Sequence, residues 1–321
     1  MKKALVVGID DYPNAPLKGC VNDAEAIAKA LERNQDQTKN FDVRLETNIP
    51  SGARLLSAVN DLFQGDADIA LLYFSGHGSE DGMGYLVTPD YAPPIWGVSM
   101  ADILSCANKS KCRNKIIILD SCYSGRLGEN PVFEATSSEL AEGVTIMTAS
   151  SRDQVSLEIN GHGVFTGLLL QGLAGGAADL TGKISPASLY AFIDQSLGPW
   201  EQRPVFKTNT TAFLSIRSVQ PQVPMTTLRI ISKIFEEPTT EFGLDPSYED
   251  TNAVDIDHRV VKPYAAREHV DLFKKLQALE GVGLVEPVGE DFMYFAAMHN
   301  KSCRLTPLGM HYWKLSKDRR F

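Results

Sequence analysis

Two reactive side chains each lie three residues beyond a short apolar run of sequence. His77 follows the run IALLYF at 69–74, and Cys122 follows the run IIIL at 116–119. An imidazole that accepts the proton of a thiol is what nucleophilic acyl transfer by a cysteine requires. The matched type and position of the two residues therefore predict a Cys-His dyad. The alternative is a buried inert cysteine and a histidine that merely caps a strand.

The apolar runs predict the elements that must position this dyad. Both runs favour strands that are buried on both faces, as in a parallel sheet. The carboxyl ends of such strands form the edge where open α/β sheets bind ligands, so His77 and Cys122 would share one crevice. The glycines at 76, 78 and 125 let the chain turn there without crowding a substrate. The backbone N–H groups of Gly78 and Cys122 are the candidates for an oxyanion hole.

Two segments carry a resemblance to a known family. YFSGHG at 73–78 and DSCYSG at 120–125 resemble the His and Cys motifs of the caspase-like peptidases, in their metacaspase and prokaryotic caspase branch. The separation of the two residues agrees with the caspase pattern of a His about 50 residues upstream of the nucleophile. The animal-caspase signature around the Cys is absent, which argues against cleavage after Asp. The resemblance covers residues 1–218 and implies a cysteine peptidase there.

The resemblance also implies a binding pocket for the substrate P1 side chain. LKGCVNDA at 17–24 is similar to the metacaspase motif whose aspartate, here Asp23, lies in the S1 pocket, and the family adds Asp120 and Ser75. Two carboxylates in one empty pocket repel each other, and a guanidinium or ammonium at P1 relieves that repulsion. We therefore expect cleavage after Arg or Lys. The alternatives are a helix N-cap at Asp23 and a structural acceptor of N–H groups at Asp120.

Metal and cofactor signals are weak. Some metacaspases hold calcium with an aspartate cluster, and calcium takes several oxygen ligands. Only Asp81 and Asp90 are candidates here, and the doubled aspartate of the family is missing, so we predict no metal site and no cofactor, with calcium as an open alternative. His162, between two glycines, is interpreted as a loop histidine without a role in the site.

Composition favours an intracellular protein. Five cysteines, an odd number among 321 residues, give no disulfide framework or zinc pattern, so a reducing cytoplasm is expected. The amino-terminal apolar run ends after six residues at Asp10, which is too short for a secretory core, and no stretch approaches the roughly 20 apolar residues that span a bilayer. A net charge of −9 makes nucleic acid an unlikely partner and favours protein substrates.

The order of elements predicts an α/β fold with a wound, mostly parallel six-stranded sheet flanked by helices. The predicted strands lie at 3–9, 41–47, 67–75, 116–120, 144–149 and 211–217. The predicted helices lie at 21–33, 51–63, 99–106, 165–173 and 186–197.

A second domain is predicted over 219–321, after a linker marked by Pro221 and Pro224. An amphipathic helix at 269–279 and the segments that follow resemble a small α+β winged-helix-like module. This part carries 13 Lys and Arg against 15 Asp and Glu, so we favour protein docking or regulation over DNA recognition.

Two functional classes remain open. The first is a cysteine endopeptidase, and the second is a catalytically silent adaptor that docks partners through its C-terminal domain. Similar bacterial proteases belong to defence or programmed-death systems, which is implied by resemblance alone.

Control could come from cleavage at Arg126, or elsewhere in the loops 105–115 and 125–143, by the protein itself or by an upstream protease. Alternatively, the C-terminal domain could hold the enzyme inactive until a regulator binds.

Overall fold

The computed structural model describes residues 1–79, 84–92, 95–121, 140–149, 158–159, 162–198, 203–212, 214–255, 257 and 259–321. The described chain divides into two compact units, Met1–Gln220 and Pro221–Phe321. Each unit is described by itself below. That the two units are independent domains with a boundary after residue 218 stays a prediction.

The first unit alternates strands and helices along the chain. Its strands are β1 (Lys2–Gly8), β2 (Asp42–Thr47), β3 (Ile69–Ser75), β4 (Gly78–Ser79), β5 (Tyr85–Ala92), β6 (Ile95–Ser99), β7 (Asn114–Asp120), β8 (Val144–Thr148), β9 (Glu158–Ile159), β10 (His162–Gly163), β11 (Lys183–Ile184), β12 (Val205–Asn209) and β13 (Arg217–Ser218). Its α-helices are α1 (Cys20–Glu32), α2 (Gly52–Phe63), α3 (Met100–Lys109), α4 (Val164–Gln171) and α5 (Pro186–Ser196).

Six of these strands form the central sheet, in the order β12-β8-β7-β3-β1-β2. All neighbouring pairs are parallel except β12 with β8, which is antiparallel. The prediction of a mostly parallel six-stranded α/β sheet is therefore confirmed. Every residue of β3 is buried, as is all of β7 except its last residue, which explains why both strands read as unbroken apolar runs.

Helices cover both faces of this sheet. Alternate residues of β1 point to opposite faces: Leu5 and Val7 pack with α2 and α3, whereas Ala4 and Val6 pack with α1, α4 and α5. The helix α2 begins as predicted after Ser51, whose hydroxyl accepts the N–H of Arg54.

Three details of the sequence prediction are wrong. The strand expected at 211–217 lies instead at Val205–Asn209. It begins with a β-branched residue and an aromatic residue and pairs antiparallel with β8 at the edge of the sheet. The hairpin β4-β5-β6 was not predicted, because its pairing is local and its strands are short or irregular. The segment 105–115 is not all loop: α3 extends to Lys109, and Lys115 is a buried residue of β7.

The described part of the second unit contains α-helices of four to 14 residues and a three-stranded sheet. Its helices are α6 (Met225–Leu228), α7 (Ile231–Ile234), α8 (Arg267–Glu280), α9 (Met293–Met298) and α10 (Pro307–Lys317). Its strands β14 (Phe242–Gly243), β15 (Val285–Val288) and β16 (Ser302–Leu305) pair in the order β14-β16-β15. A winged-helix identity for this unit stays a prediction. Within the described residues of both units, no helix is long and apolar enough to cross a membrane.

Candidate active site

The register of three parallel strands brings the site residues to one level of the sheet. Gly8 at the end of β1 pairs with Ser75 at the end of β3, and Ser75 pairs with Asp120 at the end of β7. His77 and Cys122 each lie two residues further along their chains. Asp120 and Ser75 therefore occupy the carboxyl edge of the sheet, as the sequence predicted. Cys122 itself lies outside the described residues, as do Asp81 and Arg126.

The imidazole of His77 is held by the loop that follows β1. Its Nε2 lies 2.7 Å from the carbonyl oxygen of Ala15. A carbonyl oxygen only accepts hydrogen bonds, so Nε2 carries a proton. In the neutral ring the lone pair is then on Nδ1, which is the atom that can accept a proton from a nucleophile.

A buried tyrosine fixes the backbone and ring of His77 from the other side. The Tyr12 hydroxyl accepts the His77 backbone N–H at 3.1 Å and donates to the Val87 carbonyl at 3.2 Å. The two rings meet edge to face, with centroids 4.6 Å apart. Gly76 makes room for this arrangement, because a Cβ at that position would lie 2.6 Å from the Tyr12 hydroxyl oxygen. Burial raises the pKa of Tyr12 above its usual value, so its hydroxyl stays a donor.

Gly78 opens the edge strand β4. It pairs with Leu86 of β5, and the adjacent backbone bond runs from the Val87 N–H to the His77 carbonyl. In an antiparallel ladder this makes Gly78 and Leu86 a pair that exchanges no hydrogen bonds. The Gly78 N–H therefore points away from β5, an orientation that suits the predicted oxyanion donor.

Asp23 and Asp120 converge on the same point. A Cβ on Gly163 would lie 3.7 Å from Oδ2 of Asp23 and 3.6 Å from Oδ2 of Asp120. Asp23 is not the N-cap of α1, since the N–H groups of Cys20 and Val21 are accepted by the carboxylate of Asp10. It lies instead in the first turn of that helix and is only 4% exposed.

Burial raises the pKa of both carboxyl groups. It raises the pKa of Asp120 to about 6; the hydroxyl of Thr166, which donates to Oδ2, opposes this shift, and the nearby charge of Asp23 adds to it. Burial also raises the pKa of Asp23, against hydrogen bonds from His162 and Gly163. Asp120 thus also has the structural acceptor role that the sequence left open. The pair costs free energy to keep ionised, and a bound cation would reduce that cost.

Two neighbours of the pair were not assigned to the site from sequence. His162, expected to be a loop histidine, lies in β10 with its Nδ1 2.6 Å from Oδ1 of Asp23. Cys20 forms a side-chain hydrogen bond with Ser75, and burial raises its thiol pKa to about 12, so it stays protonated and is a poor nucleophile. Neither residue has a local signal, because each contact depends on the packing of α1 against the sheet.

Asp90, a calcium candidate, has local partners. Its Oδ1 accepts the hydroxyl of Thr88 at 2.6 Å and the N–H of Gly52 at 3.1 Å. This places the carboxylate at the amino end of α2, where an anion is stabilised without a metal. The expectation of no metal site and no cofactor, with calcium as the alternative, stays a prediction.

Comparison with known proteins gives the family. The model of the caspase domain matches residues 1–225. Among solved structures, the chain is similar to caspase-1 from Spodoptera frugiperda, with 15% identity over 68% of this chain and 90% of that one, at a TM-score of 0.48. The search of curated proteins gave no match. The matched region contains the whole six-stranded sheet and the edge that carries His77, and the chain belongs to the caspase-domain family of cysteine peptidases.

The Tyr12 hydroxyl gives a test of how His77 is positioned. Tyr12→Phe removes the acceptor of the His77 N–H, and we expect the free energy of unfolding to fall by about 1–3 kcal/mol. We also expect kcat for any cleaved peptide to fall by up to roughly 100-fold, because a displaced imidazole transfers its proton less efficiently. Chemical denaturation and steady-state kinetics measure the two effects. Tyr190→Phe, whose ring keeps its stacking on Phe206, is the matched control. An unchanged kcat in Tyr12→Phe would contradict this positioning role.

Proposed function

We propose that the protein is a cysteine endopeptidase that cleaves protein substrates after Arg or Lys, with Cys122 as nucleophile and His77 as acid and base. The observation that carries the basic specificity is the convergence of the buried Asp23 and the partly buried Asp120 on one point beside Gly163. A guanidinium or ammonium bound there would offset their repulsion. A P1 carboxylate would add a third negative charge to the same place.

The proposed chemistry follows from the protonation of His77. Nδ1 accepts the proton of the Cys122 thiol, and the thiolate attacks the scissile carbonyl carbon. The N–H groups of Gly78 and Cys122 stabilise the developing oxyanion. The imidazolium then gives its proton to the leaving amine, and water, deprotonated by the same imidazole, hydrolyses the thioester. The parallel register supports this assignment. Ser75 at the end of β3 pairs with Asp120 at the end of β7, and His77 and Cys122 each lie two residues beyond the end of their own strand.

The cellular setting is proposed on coarser grounds. We assign the enzyme to a reducing cytoplasm because the described cysteines, Cys20, Cys106, Cys112 and Cys303, are free thiols. The resemblance to prokaryotic caspases supports activation within a bacterial defence or programmed-death pathway, by processing at Arg126 or by an upstream protease. The second unit would then dock a protein regulator, and its exposed aromatic residues Phe292, Tyr294 and Phe295 support that role over DNA binding.

The dyad gives the first test of this function. Cys122→Ala should abolish hydrolysis of a P1-Arg peptide, and His77→Ala should reduce kcat by several orders of magnitude, because the two residues act as a unit. Circular dichroism should show that both variants fold. Cys106→Ala, which removes a free thiol on α3, controls for loss of a cysteine as such. Full activity of purified Cys122→Ala protein would reject the assignment and leave the adaptor.

The carboxylate pair gives a test by pH. Above pH 6 Asp120 is ionised and attracts a P1 cation; as the pH falls through its raised pKa of about 6, the proton competes with the substrate. We therefore expect kcat/KM for a P1-Arg peptide to fall below about pH 6. Because a bound cation lowers the pKa of Asp120, the corresponding limb in kcat should lie at lower pH.

Substitution of the pair and of the substrate completes that test. Asp23→Ala or Asp120→Ala should weaken P1-Arg cleavage by about 2–5 kcal/mol, the range for truncating one partner of a buried charged contact. Asp120→Asn should remove the contribution of Asp120 to the acid limb. Asp66→Ala, an exposed acid of the same unit, is the control. Equal turnover of P1-Arg and P1-Asp peptides by the wild type would exclude an acidic pocket.

A further inference from the structure

The contact between His162 and Asp23 joins two distant parts of the chain inside the proposed pocket. The two residues are 139 positions apart, and their side chains are 17% and 5% exposed. Asp23 comes from the first turn of α1, and His162 comes from β10, directly before α4. An imidazole held this deeply against a carboxylate has one main orientation, because turning the ring would leave a buried carboxylate oxygen without its donor.

The direction of this hydrogen bond follows from the partners. An ionised carboxylate only accepts, so Nδ1 of His162 carries a proton and donates to Oδ1 of Asp23 at 2.6 Å. The side-chain amide nitrogen of Asn22 also lies 3.3 Å from Nδ1, but an amide nitrogen only donates, so it cannot pair with a protonated Nδ1 and the shorter contact to the carboxylate decides the tautomer. His162 is thus a fixed donor through Nδ1, which is the opposite assignment to His77.

The carboxylates of Asp23 and Asp120 are also held by the residues that follow His162. The backbone N–H of Gly163 donates to Asp23, and Thr166 donates to Asp120 through both its backbone N–H and its hydroxyl. The Thr166 hydroxyl has one proton and gives it to Asp120, so the buried Tyr73 hydroxyl, 2.6 Å away, donates to Thr166. Residues 162–166 therefore fix both carboxylates at the amino end of α4.

The charged and titratable groups around this pair come from several elements. Asp10, in the loop between β1 and α1, raises the pKa of Asp23, and Asp23 in turn raises the pKa of Asp120 at the end of β7. The neutral Cys20 thiol lies among these three carboxylates at the start of α1. Among the described residues, His162 is the group of this set that can carry a positive charge. Each ionised carboxylate offers about four lone-pair positions, and Asp23 has given two of them to His162 and Gly163.

We propose that His162 is a positioning residue of the S1 pocket that sets it for a guanidinium in preference to an ammonium. This inference rests on the proposed function and specifies its substrate. Two carboxylates that are each held at two points cannot turn to surround a compact, strongly hydrated ammonium. The flat guanidinium has five donors in a fixed fork and can span two separately fixed carboxylates. Loss of the His162 donor frees Asp23 and removes the geometric advantage of Arg.

The kinetic test compares two peptides that differ only at P1, Arg or Lys, on full-length wild type and three variants. His162→Ala should lower kcat/KM for the Arg peptide by roughly 100-fold, as expected for a misplaced binding group. This loss should come from a higher KM, with kcat at saturation largely unchanged. The values of kcat/KM for the Arg and Lys peptides should become nearly equal. His162→Asn puts an amide donor near the position of Nδ1 and should restore most of the preference. His162→Gln puts its donor near the position of Nε2 and should not.

Three kinetic results would overturn the inference. They are an Arg:Lys ratio in His162→Ala equal to that of wild type, a loss carried by kcat alone, and equal rescue by Asn and Gln. The last would mean that His162 only fills space.

A spectroscopic measurement separates this inference from the proposed function. In ¹⁵N-histidine spectra, neutral His162 should show the proton on Nδ1, and Asp23→Ala should remove that signature. Millimolar N-acetyl-arginine methylamide should shift the His162 signals more than the lysine analogue does, with no hydrolysis needed. If no basic peptide is cleaved but these shifts occur, the enzyme proposal fails and the pocket inference stands. If neither probe shifts the signals, or the proton is on Nε2, the inference is wrong.

Discussion

The register of β1, β3 and β7 is the constraint on which the rest of the site depends. Because Gly8, Ser75 and Asp120 lie at one level, everything that follows these strands emerges at one edge of the sheet. Gly8 has a second role there: a Cβ at this position would lie 2.3 Å from the carbonyl oxygen of Cys20 and would push α1 away. Because Gly8 has no side chain, α1 can begin directly against the end of β1, and this close approach brings Asp23 to the same edge of the sheet as Asp120.

Two desolvated carboxylates at that edge, Asp23 and the partly buried Asp120, need compensation before any substrate arrives. The fold supplies it through the Nδ1–H of His162, the N–H groups at the start of α4 and the Thr166 hydroxyl. The compensation is incomplete for Asp120, whose pKa is raised to about 6. The carboxylates have enough hydrogen bonds for the protein to fold, but their negative charge is not fully neutralised, so the site is well suited to bind a cation. Beyond the end of β3 at the same edge, His77 has no such charge partner among the described residues, and hydrogen bonds to Ala15 and Tyr12 hold it instead.

The sequence predicts the parts of this site that depend on strand order. Strands β3 and β7 are unbroken apolar runs, so their ends and the residues beyond them can be assigned from pattern alone. Asp23 and Asp120 needed a resemblance to a family, and the structure then brought them together. His162 was missed because a histidine between glycines has no periodic signal, and its partner lies 139 residues away. The strand at Val205–Asn209 was misplaced because an antiparallel edge strand of five residues competes with an equally β-prone segment just after it.

The most direct test of the account is active-site labelling with a peptidyl-arginyl chloromethyl ketone, followed by mass spectrometry of the digested protein. A peptide ketone binds through its P1 side chain and alkylates the nucleophile, so one reaction reports both the acidic pocket and the reactive thiol. We expect a single adduct on Cys122, little labelling by the aspartyl analogue, and loss of the adduct in His77→Ala and Asp120→Ala. An adduct on another cysteine, or equal labelling by the arginyl and aspartyl ketones, would contradict it.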